Sequence, residues 1–427
     1  MLFPDIEIPY YSKVSKVSKR HFYLNFRFII MRILRLLKRL PWFSIITVVI
    51  LLLIYKYANG QNKMDELQQA LVESYREKNE AIEVQKQNLP KDKFPNLESQ
   101  FSNVKDEKTM KVLSAKIEEL KNVQVDFNKT SKILLMSSWK SGSDLVGDIL
   151  SHHPKSFYHY EPLSWHGIKR YITDDKDEAG MVVKSLLNCH YGPSLDHYKQ
   201  DYITNQELLI HNKHLWPHCR KFGWRNWCAR EELLNSMCSL FPLQIMKITR
   251  ANLAVVSDLF TDSKFKDLKI VLIVRDPRAV MNARSQVKWC QESTYCKDET
   301  FLCQDMETDF DQMSLLQKDF PDRVTFLRFE DFSTLPKREL LEISEFLGLP
   351  STEEMETYLG KKLDTNGQLL AHNADTSSNA WQSQLHFTTI ERIQKVCQNA
   401  MLKWGYKMFK YEDVHPNRAV LPLEITK

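Results

Sequence analysis

Four short apolar runs fix the fold class of this chain: Ile133–Met136, Leu243–Ile248, Ile270–Val274 and Val324–Phe329. Each is too short for a core helix, and each reads as a strand buried on both faces. Helical patterns at Asp144–His152, Ala279–Val287, Lys337–Leu347 and Thr388–Trp404 separate or follow them. Strands alternating with helices predict an α/β domain: a parallel sheet with helices on both faces. Ligands of such sheets bind in the crevice at the carboxyl ends of the strands.

The first of those ends carries chemistry. Ile133 to Leu150 reads as a strand, a small-residue turn through Lys140-Ser141-Gly142-Ser143, and a helix starting near Asp144. Free N–H groups converge at such a helix start, and the helix dipole favours negative charge there. Lys140 adds a full positive charge, so the stretch reads as a phosphate cradle. It is not the nucleoside-triphosphatase loop, because its Lys precedes its Gly. That also disfavours a P-loop kinase. An ordinary strand-turn-helix is the competing reading.

A second anion site is expected after the third run, in Ile270–Arg284. Arg275 leaves the strand at its carboxyl end, Pro277 suits the first turn of the next helix, and Asp276 suits its cap. Arg278 and Arg284 add charge, and a guanidinium fork matches phosphate bidentately. The competing reading is structural pairing of Arg275 with Asp276 or Glu330.

The N-terminal part belongs to a different environment. Leu40–Tyr57 is an apolar run of eighteen residues with one charge, Lys56, and aromatic residues at both ends. At 1.5 Å per residue it spans about 27 Å as a helix, close to a thin bilayer. Lys13 to Arg39 holds nine Lys or Arg and no acid, so the positive-inside rule puts residues 1–39 in the cytosol and the remainder in the lumen. A buried helix or a cleaved signal peptide are the rivals, the latter opposed by the length of the preceding segment. Residues 58–130, rich in Lys, Glu, Gln and Asn, read as a luminal stem. They contain a weak helical stripe from Met64 to Leu89, a candidate route to a homo-oligomer. The domain is expected over 131–410, with 411–427 as a tail.

The overall charge of +5 is mild and argues against a nucleic-acid binder. All eight cysteines lie from Cys189 onward. An even count in an oxidising compartment favours disulfides, and no C-x-x-C spacing points to zinc. Local clusters are Cys219/Cys228/Cys238 and Cys290/Cys296/Cys303, and the pairing stays open. Asn128-Lys129-Thr130 is a glycosylation sequon on the luminal side.

Together these pieces resemble the Golgi carbohydrate sulfotransferases, the branch acting on the 6-hydroxyl of galactose, N-acetylgalactosamine or N-acetylglucosamine. The family's R-[ST]-G-[ST]-[ST]-[FL] loop is matched by Lys140-Ser141-Gly142-Ser143-Asp144-Leu145, and its V-R-D-P-R-A-V-x-x-S-R by Val274 to Arg284. Tyr160-Glu161-Pro162-Leu163, Arg328-Phe329-Glu330-Asp331-Phe332 and Phe346-Leu347-Gly348-Leu349 are further similarities, in the same order. The resemblance implies a P-loop-like α/β domain behind one transmembrane helix and a stem, a single-pass type II protein of the Golgi membrane. It implies 3'-phosphoadenosine-5'-phosphosulfate as co-substrate, a glycan acceptor and no metal.

By the same resemblance, donor-binding residues are expected at Trp139, Lys140, Ser141, Gly142, Ser143, Asp144 and Leu145, and at Arg275, Asp276, Pro277, Arg278 and Ala283. Lys140 and Glu161 are the expected catalytic pair. Lys140 would stabilise charge on the leaving phosphate, and Glu161 would take the proton of the attacking hydroxyl. Pairing of Glu161 with a nearby Arg is the structural rival, and His159 and His166 are weaker candidates. Lys140 stands where this branch usually has Arg, and three further positions depart from the family pattern. Asp144 replaces a Ser or Thr and would repel a phosphate unless it turned away. Ala283 replaces a Ser, at a cost of about 1.5–3 kcal/mol for a hydrogen bond to a charged group. Gln382 follows Trp381 where Arg is common. A catalytically weak glycan-binding protein on the same fold is therefore the alternative function. The region 164–242, with Trp165, Trp216, Trp224, Trp227, His211 and Lys213, is expected to shape the acceptor cleft.

Overall fold

The computed structural model describes residues 104–121, 131–171, 176–197, 207–222, 227–370 and 378–410. The expected membrane span, the tails and the Asn128 sequon lie outside them. Among the described residues no helix is long and apolar enough to cross a membrane.

Five parallel strands form one sheet in the order β2-β3-β1-β4-β5. They are β1 Ser131–Ser137, β2 Ser156–Tyr160, β3 Leu243–Ile248, β4 Leu268–Val274 and β5 Val324–Arg328. The helices that matter below are α1 Glu107–Lys121, α2 Ser143–Ser151, α3 Lys176–Leu187, α4 Pro277–Ser285, α5 Glu299–Asp319, α6 Phe329–Thr334, α7 Pro336–Leu347, α8 Glu353–Gly360, α9 Phe387–Val396 and α10 Gln398–Lys403.

Strand periodicity sorts the core into two layers. On β1, Leu134 and Met136 join α3 and α5 on one side, while Ile133 and Leu135 join α2 and α7 on the other. On β4, Ile270, Leu272 and Val274 alternate likewise with Val271 and Ile273. The buried apolar runs are therefore double-sided, as their sequence demands.

Three features differ from the sequence expectation. The edge strand β2 reads SFYHY and has no apolar run to mark it; it is held by parallel pairing to β3. The expected helix Thr388–Trp404 is two helices, α9 and α10, broken at Cys397, which bonds to Cys303 on α5. Residues 107–121, inside the expected stem, form α1, whose Val112, Leu113, Ile117 and Leu120 are buried in the main core. Asp106 caps that helix by accepting from the Thr109 N–H at 2.9 Å, and Trp227 Nε1 donates to the same carboxylate. The charged composition of the stem hid this single apolar stripe.

All eight cysteines pair, as Cys189–Cys238, Cys219–Cys228, Cys290–Cys296 and Cys303–Cys397. Two pairs lie within the local clusters, and two reach across the chain.

Candidate active site

β1 ends at Ser137, and the chain passes through Ser138, Trp139 and Lys140 to Gly142 and α2. Two residues of this loop have positive φ, Lys140 at 68° and Gly142 at 85°. Gly142 is the N-cap residue of α2. A Cβ there would sit 2.2 Å from the Phe329 ring, so glycine is required by conformation and by space. Hydroxyls tie the turn together: Ser137 Oγ donates to Ser143 Oγ at 2.7 Å, and Ser138 and Ser141 Oγ lie 2.8 Å apart.

Two arginines after β4 hold the loop by its carbonyls. Arg275 Nη1 donates to the Lys140 carbonyl at 2.9 Å, and Arg284 Nε donates to the Trp139 carbonyl at 3.2 Å. Both side chains are fully buried. Arg284 also reaches the Cys296 carbonyl at 3.1 Å; burial lowers its pKa to about 10. With these carbonyls bound, the left-handed Lys140, costly for a non-glycine residue, is held in place. The charge of Arg275 acts on Glu330, and the Asp276 carboxylate is engaged by another arginine. That carboxylate caps α4 at the Arg278 N–H and grips the Arg278 guanidinium. Arg278 is sandwiched between Trp381 and Phe409 and donates to Gln394 at 2.7 Å. It faces protein on every side that these contacts define.

Pro277 opens α4 at its first turn. Ala283 is buried on that helix, and Ser285 donates at 2.7 Å to the Asn282 carbonyl. The Ser285 hydroxyl is thus spent on its own helix. Gln382 is buried beside Trp381. Leu145 packs its partly buried side chain on the α2 side of the sheet. Trp139 is buried, and its Nε1 has no hydrogen-bond partner among the described residues. A buried indole N–H normally has one, so the loop holds a donor fitted to a polar ligand.

The central group is one that sequence reading passed over. Lys247 lies on β3 between Met246 and Ile248, which point to the opposite face, so its side chain falls on the α2 side. Only 4% of it is exposed. Its Nζ sits 2.6 Å from Asp144 Oδ1, 2.7 Å from Glu161 Oε1 and 4.6 Å from the Tyr160 ring centre. Burial disfavours the ammonium, but the two carboxylates outweigh it and raise its pKa. The available signal was a lysine at an inward position of a central strand, which requires a partner.

Glu161 follows β2 with φ 48° and is buried. Besides Lys247 it accepts from Thr249 Oγ1 at 2.7 Å and from Arg250 Nη1 at 2.7 Å. Burial would raise its pKa, yet Lys247 and then Arg250 bring the net shift below the ordinary value. Asp144 is turned onto Lys247 and also accepts from Tyr160 OH at 2.9 Å. Its side chain remains 60% exposed. Burial of the carboxyl opposes ionisation, and Lys247 with Tyr160 overrides it, holding the pKa at about 2. The acid in the first turn of α2 is thus matched by a buried cation.

The other expected residues separate. His159 is buried behind the sheet edge, 3.0 Å from Gln244 Oε1, and burial lowers its pKa to about 4. His166 stacks on Tyr171. In the expected acceptor region, Trp227 and His214 are core groups, Trp165 stacks on His197, and His211 alone among the named histidines stacks on Tyr160 beside the site. Trp224 lies outside the described residues. No cluster of His, Cys, Asp and Glu suited to a metal occurs among the described residues.

The model of the sulfotransferase domain family matches residues 130–405. Human carbohydrate sulfotransferase 5 is 25% identical over 64% of this chain and 77% of its own length. Human carbohydrate sulfotransferase 6 is 25% identical over 67% and 84%, and mouse carbohydrate sulfotransferase 1 is 23% identical over 72% and 87%. Among solved structures, the sulfotransferase domain from the Synechococcus PCC 7002 olefin synthase is 17% identical with a TM-score of 0.32, covering 62% of this chain and 94% of that one. The chain therefore belongs to the sulfotransferase domain family, with the carbohydrate sulfotransferases among its relatives.

Proposed function

We propose that this chain transfers a sulfuryl group from 3'-phosphoadenosine-5'-phosphosulfate to a hydroxyl of a glycan, the 6-hydroxyl of a hexose or N-acetylhexosamine. The setting proposed is the Golgi membrane, as a single-pass type II protein with a luminal domain. The observation that carries the reading is the braced loop: Gly142 at the start of α2, with the Trp139 and Lys140 carbonyls held by Arg284 and Arg275. An anion would bind to the N–H groups at the start of α2, where no side chain caps the helix.

The donor supplies an activated sulfuryl group on a phosphate leaving group. Trp139, Lys140, Ser141, Gly142, Ser143 and Leu145 are proposed to hold its 5' end, with Asp144 kept from it by Lys247. Arg275, Asp276, Pro277, Arg278 and Ala283 belong to the proposed 3'-phosphate region; there Arg275 is the binding group and Arg278 acts by holding Asp276. Lys140 stabilises negative charge on the departing oxygen. Glu161 is the proposed base, and its resting contacts define what it must do. Ionised and held by Lys247 and Arg250, it is a weak base until one of these cations turns to the anionic donor. Lys247, between Glu161 and the phosphate loop, is the cation placed to do so.

Ala283 favours the second reading, a catalytically weak glycan-binding membrane protein, because no hydroxyl replaces the one the family has there. A direct assay separates the two. The full chain is incubated with radiolabelled donor and a panel of desulfated glycans, and binding to adenosine 3',5'-bisphosphate is measured alongside. Absence of both transfer and binding sinks the enzyme. Glu161→Gln is expected to retain bisphosphate binding and lose turnover; surviving turnover removes Glu161 as the base.

A further inference from the structure

Asp144, Asp148 and His152 recur every four residues and so share one face of α2. His152 closes the helix, and the stripe runs about 12 Å from the phosphate loop. Each member is joined to an aromatic or imidazole ring from another element. Tyr160 OH donates to Asp144, and the Tyr160 ring stacks on His211 with centres 3.7 Å apart and planes at 12°. His211 Nδ1 lies 2.7 Å from Asp148 Oδ1. His152 Nδ1 lies 2.7 Å from the Asp148 carbonyl, and its ring stacks at 4.0 Å on Tyr358, whose hydroxyl is 3.5 Å from Asp148 Oδ2.

These contacts set the hydrogen-bonding character of the strip. A carboxylate and a carbonyl only accept, so Nδ1 of both histidines carries the proton. That leaves Nε2 of each ring to a ligand, with no partner for either among the described residues. Asp148 is 21% exposed and His211 24% exposed, so this face is reached by solvent. Ring nitrogens spaced along a partly exposed face match sugar hydroxyls, which both donate and accept hydrogen bonds.

We propose that this strip is an extended subsite for the acceptor chain, taking neutral hexose or N-acetylhexosamine units beyond the one that reacts. It rests on the transferase reading above and adds the direction in which the glycan runs: from the crevice at Asp144 along α2 toward His152. His211, pinned by Asp148 and stacked on Tyr160, is its central residue. Structural capping of α2 alone would leave acceptor length without effect.

The test uses the full-length chain in detergent, with neutral N-acetylhexosamine-containing acceptors of one and six sugar units. For His211→Ala, and separately for His152→Ala, the ratio of kcat/KM for the six-unit over the one-unit acceptor is expected to fall about tenfold. Affinity for adenosine 3',5'-bisphosphate, which reports an intact fold, is measured in the same samples. An unchanged ratio in both variants overturns the subsite while leaving the transferase reading in place. If no acceptor is sulfated at all, direct binding of the six-unit glycan decides. Weaker binding by His211→Ala than by the unsubstituted chain upholds the strip without the transferase, and equal or absent binding overturns it.

Discussion

Arg275 and Lys140 are 135 positions apart in sequence and 2.9 Å apart in the structure, the guanidinium donating to the loop carbonyl. The Arg275 guanidinium also lies 4.9 Å from the centre of the Phe329 ring, the same ring that approaches Gly142. One arginine thus fixes the backbone of the loop and packs against the residue that closes it.

Arg275→Lys keeps the charge and loses the fork. A hydrogen bond to a charged group contributes about 1.5–3 kcal/mol, roughly a 10- to 100-fold change in an equilibrium constant. Affinity for adenosine 3',5'-bisphosphate, measured by calorimetry, is expected to drop within that range. An unchanged affinity would show that the loop holds its form without Arg275.

Gly142→Ala meets two penalties, a left-handed backbone and a clash with Phe329. The first costs about 1–2 kcal/mol and the second about 1–3 kcal/mol. Bisphosphate binding should be lost or reduced at least tenfold. Adding Phe329→Ala removes the clash and not the backbone cost, so the double variant is expected to regain part of the binding at lower thermal stability. Full recovery would place the whole effect in the clash.

Lys247→Met leaves Glu161 with Arg250 alone and frees Asp144 of its cation. Breaking a buried pair costs about 3 kcal/mol or more, a fall in Tm of roughly 6 °C or more. Acid acts on the same cluster. The folded pKa of Glu161 is depressed, and that of Asp144 is near 2. Their contribution is present above the unfolded carboxylate pKa, near 4, and is lost as pH falls through the folded values. Asp144 has the smaller share because its side chain is largely exposed. Thermal melts from pH 6 to pH 2.5 should show a steeper loss in the unsubstituted chain than in a Glu161→Gln/Lys247→Met variant.

Glu330 has the opposite sign. Burial, and next the charge of Asp276, raise its pKa to about 7, while its Oε1 accepts from the Asp276 N–H at 3.0 Å and its Oε2 from Tyr406 OH at 3.0 Å. The folded state binds the proton more tightly than the unfolded one, so this group's contribution declines as pH rises from about 4.3 to about 7. The span is at most about 4 kcal/mol. Glu330→Gln keeps an acceptor for Asp276 and should flatten the difference in Tm between pH 5 and pH 7.5. A slope equal to that of the unsubstituted chain would assign the raised pKa elsewhere.

The sequence determined four strands of the sheet and the turn at Gly142, because both are local. A strand buried on two faces must be apolar throughout, so β1, β4 and β5 announced themselves. The turn through Gly142 is written in small residues beside a lysine, and Asp276-Pro277 marks a helix start. Edge strand β2 stayed hidden because polar residues with buried partners, such as His159 on Gln244, can stand in an edge strand without an apolar run. The pairing of Cys189 with Cys238 and of Cys303 with Cys397 is also nonlocal, and spacing gives no measure of it. Charge pairing is what only the tertiary structure decided. Asp144 looked like a repulsive neighbour for a phosphate until the register of β1 against β3 placed Lys247 beside it. Arg275, Arg278 and Arg284 read alike in sequence; folding set one on the Lys140 carbonyl, one on Asp276 between two rings, and one on the Trp139 carbonyl. A side chain's charge is fixed by its identity, but its partner is fixed by which strand ends and helix starts the fold brings within hydrogen-bonding distance.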